Sequence, residues 1–241
     1  MVKLPETLGG FRQFSDITIQ SILKAITMFT DRQDAALQLA KALEKYRGTN
    51  PVVLGIPRGG AETAYYVALG LEGEFSLLVS RKLGHPGNPE YAFGAIAEDG
   101  TVYLRQNAAA ELSSEVIQRV SDAQKKEIER RVQSLRKGKA LPELKGKTVI
   151  LVDDGIATGA TLLAAIEMCK KQQPSKLVVA APVSGAEMEE KLKQLVDEVV
   201  ILEVPDHYYA VSQAYENFYN LSDEEVLNFM DQWQRDRNQQ G

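Results

Sequence analysis

Thr148 to Thr161 reads Thr-Val-Ile-Leu-Val-Asp-Asp-Gly-Ile-Ala-Thr-Gly-Ala-Thr and runs directly into the apolar segment Leu162 to Cys169. Val149 to Val152 are four consecutive apolar residues, mostly β-branched, which predicts a central parallel strand covered on both faces. Asp153 and Asp154 then stand at its carboxyl end, followed by a glycine-punctuated turn that opens a helix. Such a stretch confines the chain to α/β architectures, where ligands sit in the crevice outside the strand ends. The loop from Gly155 to Thr161 offers backbone N–H groups and a helix dipole to a phosphate. Thr158 and Thr161 add hydroxyl donors. The carboxylates would repel a phosphate at contact, so they are expected to face sugar hydroxyls or a hydrated Mg2+. A helix cap needs one acid; two adjacent acids followed by Thr-Gly-Ala-Thr point to a binding loop.

Spacing excludes two other phosphate loops. Three residues separate Gly155 from Gly159 and Ala160 stands where a Walker loop has lysine, and no Gly-x-Gly-x-x-Gly fingerprint is present. With 241 residues, 44% apolar and 25% charged, the chain is long enough for one sizeable core plus a smaller appendage. The formal net charge of -5 argues against broad nucleic-acid binding. No run approaches a membrane span, and Met1 to Phe11 lacks the apolar region of a signal peptide, so a cytoplasmic location is expected. Cys169, the single cysteine, falls among Leu162, Leu163, Ala165, Ile166 and Met168 and reads as core packing. Two histidines and one thiol provide no ligand set for structural zinc.

In chain order, residues 1–29 form an extension without a readable motif, although Ile17, Ile22, Ile26 and Phe29 share a helical face. Asp31 precedes Ala35, Ala36, Leu39, Ala40 and Leu43 at helical spacing, ending near Gly48. Pro51 to Ile56 reads as a strand, and Pro57-Arg58-Gly59-Gly60 as its turn into a helix from Ala61 to Leu69. Arg58 and the glycine backbone suit a diphosphate approaching opposite the acidic loop, or a plain turn. Phe75 to Ser80 reads as a third strand ended by Arg81-Lys82, either a phosphate-binding pair or a solvated loop. Gly84 to Glu90 is expected as a mobile flap, with Gly94 to Ala97 and Thr101 to Leu104 a hairpin about Glu98-Asp99-Gly100. Ser113 to Lys137 reads as one long helix with Val116, Val120, Ala123, Ile128, Val132 and Leu135 on its buried side. Its Lys125, Lys126, Arg130, Arg131, Arg136 and Lys137 alternate with acids, as on a solvated face. Strand Leu177 to Ala181, helix Ala186 to Leu195 and strand Glu198 to Val204 complete a single parallel sheet. Beyond them Pro205, Asp206, His207, Tyr208 and Tyr209, then Tyr215, Phe218 and Tyr219, form either a stacking lid or a cover for the sheet edge.

Four apolar residues, two acids, three residues and Thr-Gly-x-Thr resemble the phosphoribosyl pyrophosphate motif of type I phosphoribosyltransferases. The other pieces fall in the family's order over roughly residues 30–218. The resemblance implies a Rossmann-like parallel sheet with a flexible hairpin flap and a C-terminal hood, divided as 1–29 extension, 30–204 core and 205–241 hood and tail. It implies Mg2+-dependent transfer of the phosphoribosyl group to a nitrogen acceptor, a nucleobase, with release of pyrophosphate. A regulator that binds phosphoribosyl pyrophosphate without turning it over is the alternative. Asp153, Asp154, Arg81 and Lys82 would be catalytic, and Ala157, Thr158, Gly159, Ala160 and Thr161 would hold the 5-phosphate. Arg58, Gly59 and Gly60 would meet pyrophosphate, and Pro205, Asp206, Tyr208 and Tyr209 would form the acceptor pocket. Mg2+ would be held mainly through substrate, with Asp153 and Asp154 as protein ligands. Expected partners are phosphoribosyl pyrophosphate and a small nitrogenous acceptor, without nucleic acid or membrane; a homodimer stands open. Hypoxanthine-guanine enzymes usually carry Asp before the Thr-Gly, where this chain has Ala157, so a 6-oxopurine is disfavoured. Glu98 is then a candidate base.

Overall fold

The computed structural model describes residues 29–240; of the apolar face expected in the N-terminal extension, Ile17, Ile22 and Ile26 lie outside them. Five strands, β1 (Val52–Gly55), β2 (Glu74–Leu77), β6 (Thr148–Val152), β7 (Lys176–Val183) and β8 (Glu198–Glu203), form a parallel sheet in the order β2-β1-β6-β7-β8. Their near-continuous apolar runs follow from burial on both faces. Successive side chains alternate between layers. Val53, Ile150, Val152, Val178 and Ala180 meet helices α1 (Arg32–Ala42) and α2 (Gly59–Leu71) on one face. Val52, Leu54, Val149, Leu151, Leu177 and Val179 meet helix α5 (Ala160–Lys171), including Cys169, on the other. Asp31 caps α1 by accepting from the Asp34 N–H at 2.9 Å.

The parallel sheet is single as expected, and the expected hairpin is extended by one strand into a second sheet, in which β3 (Ser80–His85), β4 (Asn88–Ala97) and β5 (Val102–Leu104) pair antiparallel. Phe75 to Ser80 is therefore two strands. The Val79 N–H is taken by the Glu98 carboxylate at 2.8 Å instead of a neighbouring strand, and the chain leaves the parallel sheet there. Gly84 to Glu90, expected as a mobile flap, is the turning tip of the β3–β4 hairpin, with His85 opposite Asn88 and the Gly87 N–H on His85 Nδ1 at 3.1 Å. The Glu98-Asp99-Gly100 turn joins β4 to β5 as expected, Gly100 adopting φ +86.

Short helix α3 (Gln106–Ala109) leads to α4 (Ser114–Arg136), capped by Ser113. The face of α4 includes Ile128 and Leu135 as expected, whereas Ala123 is exposed and Ser121 buried in its stead. Arg136 is no solvated cation either: it is 4% exposed and bound to Glu98. After α6 (Ala186–Lys193) and β8, the tail ends in α7 (Asp223–Gln240), where Val226, Met230 and Trp233 join the core beside Tyr65 and Phe75. Their i, i+4, i+7 spacing is an amphipathic signal.

Candidate active site

Because β1 and β6 are neighbours with Gly55 opposite Val152, the turns that follow them emerge side by side. The contact is intimate. A Cβ on Gly59 would overlap the Asp154 carboxylate, and one on Gly60 would lie 2.8 Å from the Val152 carbonyl and 3.0 Å from Asp153 Cα. The glycines are thus required for this turn to pack on the acids, a closer relation than the opposed position expected for them. Pro57-Arg58 is a cis peptide, and Arg58 projects exposed over the same crevice.

Asp153 is half-buried and Asp154 9% exposed. Asp153 Oδ1 accepts the Asp154 N–H at 3.0 Å. Arg32, 3% exposed, donates Nε to Asp154 Oδ2 at 2.7 Å, and Tyr215 donates its hydroxyl to the Asp154 carbonyl. Burial first, and then the charge of Asp154, hold the Asp153 carboxyl well above its usual range. Burial also raises Asp154, opposed by Arg32. A desolvated site with adjacent carboxylates favours ligand hydroxyls or a cation. Asp154 is engaged by Arg32, which leaves Asp153 as the carboxylate that could meet a cation or ligand hydroxyls.

The 155–161 loop is tied to β7 by the Ile156 N–H on the Val183 carbonyl at 2.9 Å. Ala157 and Thr158 are exposed, Thr161 is half-buried and Ala160 buried. Gly159 starts α5 with φ +63 and without a side-chain cap, leaving first-turn N–H groups for an anion.

A cleft of about 380 Å3 gathers Arg32, Arg58, Gly59, Asp153 and Asp154 with Ala210, Val211, Ser212, Phe218, Asn220 and Leu221. A larger hollow of about 560 Å3 runs along α4 and holds none of the acids or their partners. Of the residues expected to form the acceptor pocket, Pro205, Asp206, Tyr208 and Tyr209 do not line this cleft. Tyr209 is 81% exposed, Asp206 faces solvent, and Tyr208 packs on Gly185 with its hydroxyl buried. The chain doubles back at a 3-10 turn, Val211–Ala214, where Gln213 Oε1 accepts the N–H groups of Tyr209 and Ala210. This turn brings residues 210–212 inward.

Arg81 and Lys82 also stand outside the cleft, on β3 of the flap sheet. Arg81 is half-buried with Nε on Gln124 Oε1 at 3.0 Å, and Lys82 is exposed. Burial lowers the Arg81 pKa, and the nearby charges of Arg131, Arg130 and Arg58 act in the same direction. Glu98 is corrected as a candidate base: Arg136 Nη2 donates to Oε1 at 2.7 Å, making it a structural anion. Arg32 has no place in the expected site. Its signal is nonetheless present, because a charged residue at i before Ala35, Ala36 and Leu39 sits on the apolar face of α1 and demands a buried partner.

A parallel α/β sheet with two ligand loops at its carboxyl edge, an antiparallel flap and a C-terminal hood defines the type I phosphoribosyltransferase fold. Residues 25–218 match the phosphoribosyl transferase domain model, and the chain belongs to that family. It is 41% identical over 211 residues to a Mycobacterium tuberculosis protein provisionally named a phosphoribosyl transferase, covering 87% of this chain and 48% of that one. The chain thus spans about half the length of the curated relatives it matches. The crystal structure of TT1426 from Thermus thermophilus superposes with a TM-score of 0.75 at 39% identity, covering 86% of this chain and 99% of that one. Among the described residues no helix is long and apolar enough to cross a membrane.

Proposed function

We propose that the chain transfers the 5-phosphoribosyl group of phosphoribosyl pyrophosphate to a nitrogen acceptor, a nucleobase, releasing pyrophosphate. The observation that carries this reading is the packing of the Arg58-Gly59-Gly60 turn directly on Asp153 and Asp154 within one cleft. Two adjacent strand ends thereby present hydroxyl-reading acids, a cation and glycine backbone to a single sugar diphosphate.

In the reaction the C1–N bond forms as the C1–O bond breaks, the electron pair leaves with pyrophosphate, and the acceptor nitrogen gives up its proton to water. Asp153 would meet a Mg2+ brought in on the diphosphate, and the ion would supply neutralisation of the leaving group. The 155–161 loop anchors the 5-phosphate through N–H groups at the start of α5, fixing C1 by orientation. Asp153 accepts the ribose hydroxyls. Arg58 stands at the diphosphate end, and Arg81 and Lys82 reach it as the flap closes, stabilising charge on the departing oxygens. Phe218 lines the hood side of the cleft, where a planar acceptor fits. With Ala157 before the Thr-Gly and Glu98 committed to Arg136, neither position serves a 6-oxopurine as base.

Pyrophosphate release with phosphoribosyl pyrophosphate, Mg2+ and a panel of nucleobases tests this. Turnover with one or more bases is the expected result. Tight binding of phosphoribosyl pyrophosphate without release would overturn transfer in favour of a sensor.

A further inference from the structure

A second concavity, of about 390 Å3, lies where the flap sheet meets α6, and it shares no lining residue with the cleft that holds the acids. Its size falls in the range of small-molecule sites. Although the chain carries a formal net charge of -5, this hollow is lined by the cations Arg105 and Lys191 and, among the described residues, by no carboxylate. Each cation is oriented by a neutral group. Lys191 Nζ donates to the Tyr103 hydroxyl at 2.8 Å, and Arg105 Nη1 donates to the Ala92 carbonyl at 3.2 Å. Neither partner cancels charge, so the remaining N–H groups can meet an anion, Arg105 through its fork and Lys191 as a point charge. Tyr91, 44% exposed, holds its ring centroid 5.7 Å from the Arg105 guanidinium carbon. A large aromatic left in solvent beside two uncompensated cations offers a stacking face next to an anion site. We propose that this hollow is a second ligand site, one that takes a nucleoside phosphate, with the phosphate on Arg105 and Lys191 and the planar base on Tyr91.

The hollow joins two parts of the molecule. Tyr91 lies on β4 and Arg105 directly follows β5, its N–H on the Phe93 carbonyl at 2.9 Å, whereas Lys191 belongs to α6. One turn before Lys191, Met188 packs at the start of α5, where a Cβ on Gly159 would lie 2.9 Å from its sulfur. An occupant gripping both cations therefore ties the flap sheet, which carries Arg81 and Lys82, to the helix that backs the 155–161 loop. A nucleic-acid track would be a poorer match, since it needs cations and aromatics repeated along a strand, and here they converge on one hollow.

This inference does not rest on the phosphoribosyl reading, because its test reads the hollow alone. The Leu104 and Ala108 methyl groups line the hollow and report its occupancy by NMR. Methyl-labelled protein is titrated with AMP, GMP, CMP and UMP, with inorganic phosphate, and with a single-stranded oligonucleotide. The parent is compared with the double variant Arg105→Gln, Lys191→Gln. At least one monophosphate is expected to shift both signals saturably, with a Kd below about 1 mM, and to bind about tenfold or more tighter than inorganic phosphate, as for a stacked base. The double variant is expected to lose about tenfold or more in affinity, with a Tm within about 2 °C of the parent. Should the double variant not fold, Arg105→Gln alone, at an exposed position, carries the same test with an expected loss of about threefold or more. No saturable shift, parental affinity in the variant, or inorganic phosphate binding as tightly as the monophosphates would overturn the proposal. An oligonucleotide that binds more tightly than every monophosphate would overturn it in favour of a nucleic-acid surface.

Discussion

At the scale of single residues, the site depends on absent side chains as much as on charged ones. Gly59 and Gly60 lie against the Asp154 carboxylate and the β6 end, so a methyl group at Gly59 must displace either the turn or the acid. Gly59→Ala is expected to cost about 1–3 kcal/mol, the range for overpacking a well-filled site, and to weaken phosphoribosyl pyrophosphate binding. Urea unfolding and calorimetry check the two effects, and a variant matching the parent in both would show that the contact relaxes freely. Gly159 is constrained differently. Its φ of +63 suits glycine, and a side chain there would approach Met188 Sδ to 2.9 Å. Gly159→Val is therefore expected to lose 5-phosphate affinity through distortion of the α5 start as well as through steric exclusion of the phosphate, measured as weaker ribose 5-phosphate binding. Asp153, Asp154 and both glycine turns are legible in the sequence because local turn chemistry marks them. Arg32 is not legible in that way, because its role needs a partner 122 positions away.

Among elements, a buried clasp helps to fasten the flap sheet to the parallel sheet. Arg136, at the end of α4, donates Nη1 to the Leu77 carbonyl at 2.9 Å and Nη2 to Glu98 at 2.7 Å, and Glu98 accepts the Val79 N–H. Arg136→Met strands the Glu98 charge and is expected to destabilise by about 3–5 kcal/mol in urea unfolding. A loss below about 1 kcal/mol would mean that Glu98 finds water instead. Arg81 and Lys82 ride on this sheet, and replacing both by Ala is expected to slow pyrophosphate release on the order of a hundredfold. The stability cost should come from Arg81, which is half-buried on Gln124, while exposed Lys82 contributes within about 0.5 kcal/mol. Single variants in the same two assays resolve the shares, and a double variant with parental turnover would confine the pair to the flap surface. The helices and parallel strands are readable from period and apolar runs. The break of Phe75 to Ser80 into two strands is not, because it depends on a carboxylate from Glu98 capturing one backbone N–H.

For the molecule as a whole, the edge strand β8 is secured to the rest of the sheet by a cluster about Glu198. Lys45 Nζ lies 2.6 Å from Oε1, while the Tyr46 hydroxyl and Lys176 Nζ reach Oε2 at 2.7 and 3.2 Å. Burial pushes this carboxyl up, but the hydrogen bonds from Lys45, Tyr46 and Lys176 outweigh it and leave the pKa at about 2. A carboxyl depressed on folding contributes stability that is present above its ordinary value and lost as pH falls through its folded one. Glu198→Gln is thus expected to cost about 2 kcal/mol at neutral pH, with the difference from the parent shrinking as pH falls from about 4.5 toward 2. Denaturant midpoints at about pH 7 and pH 3 check this, and a cost that does not change with pH would assign the effect to packing. By itself the sequence determined that a β-branched strand ends in two acids, that a glycine turn carries Arg58, and that Ser113 to Lys137 is one long helix. These follow from forces between residues close along the chain: hydrophobic period, caps and turn conformations. Only the tertiary structure decided that β1 lies beside β6, that Arg32 takes Asp154, that Glu98 is clasped by Arg136, and that residues 210–212, in place of 205–209, enter the cleft. Each of these is a pairing of charges or backbone groups far apart in sequence, set by which strands the sheet places side by side and by where the tail turns back.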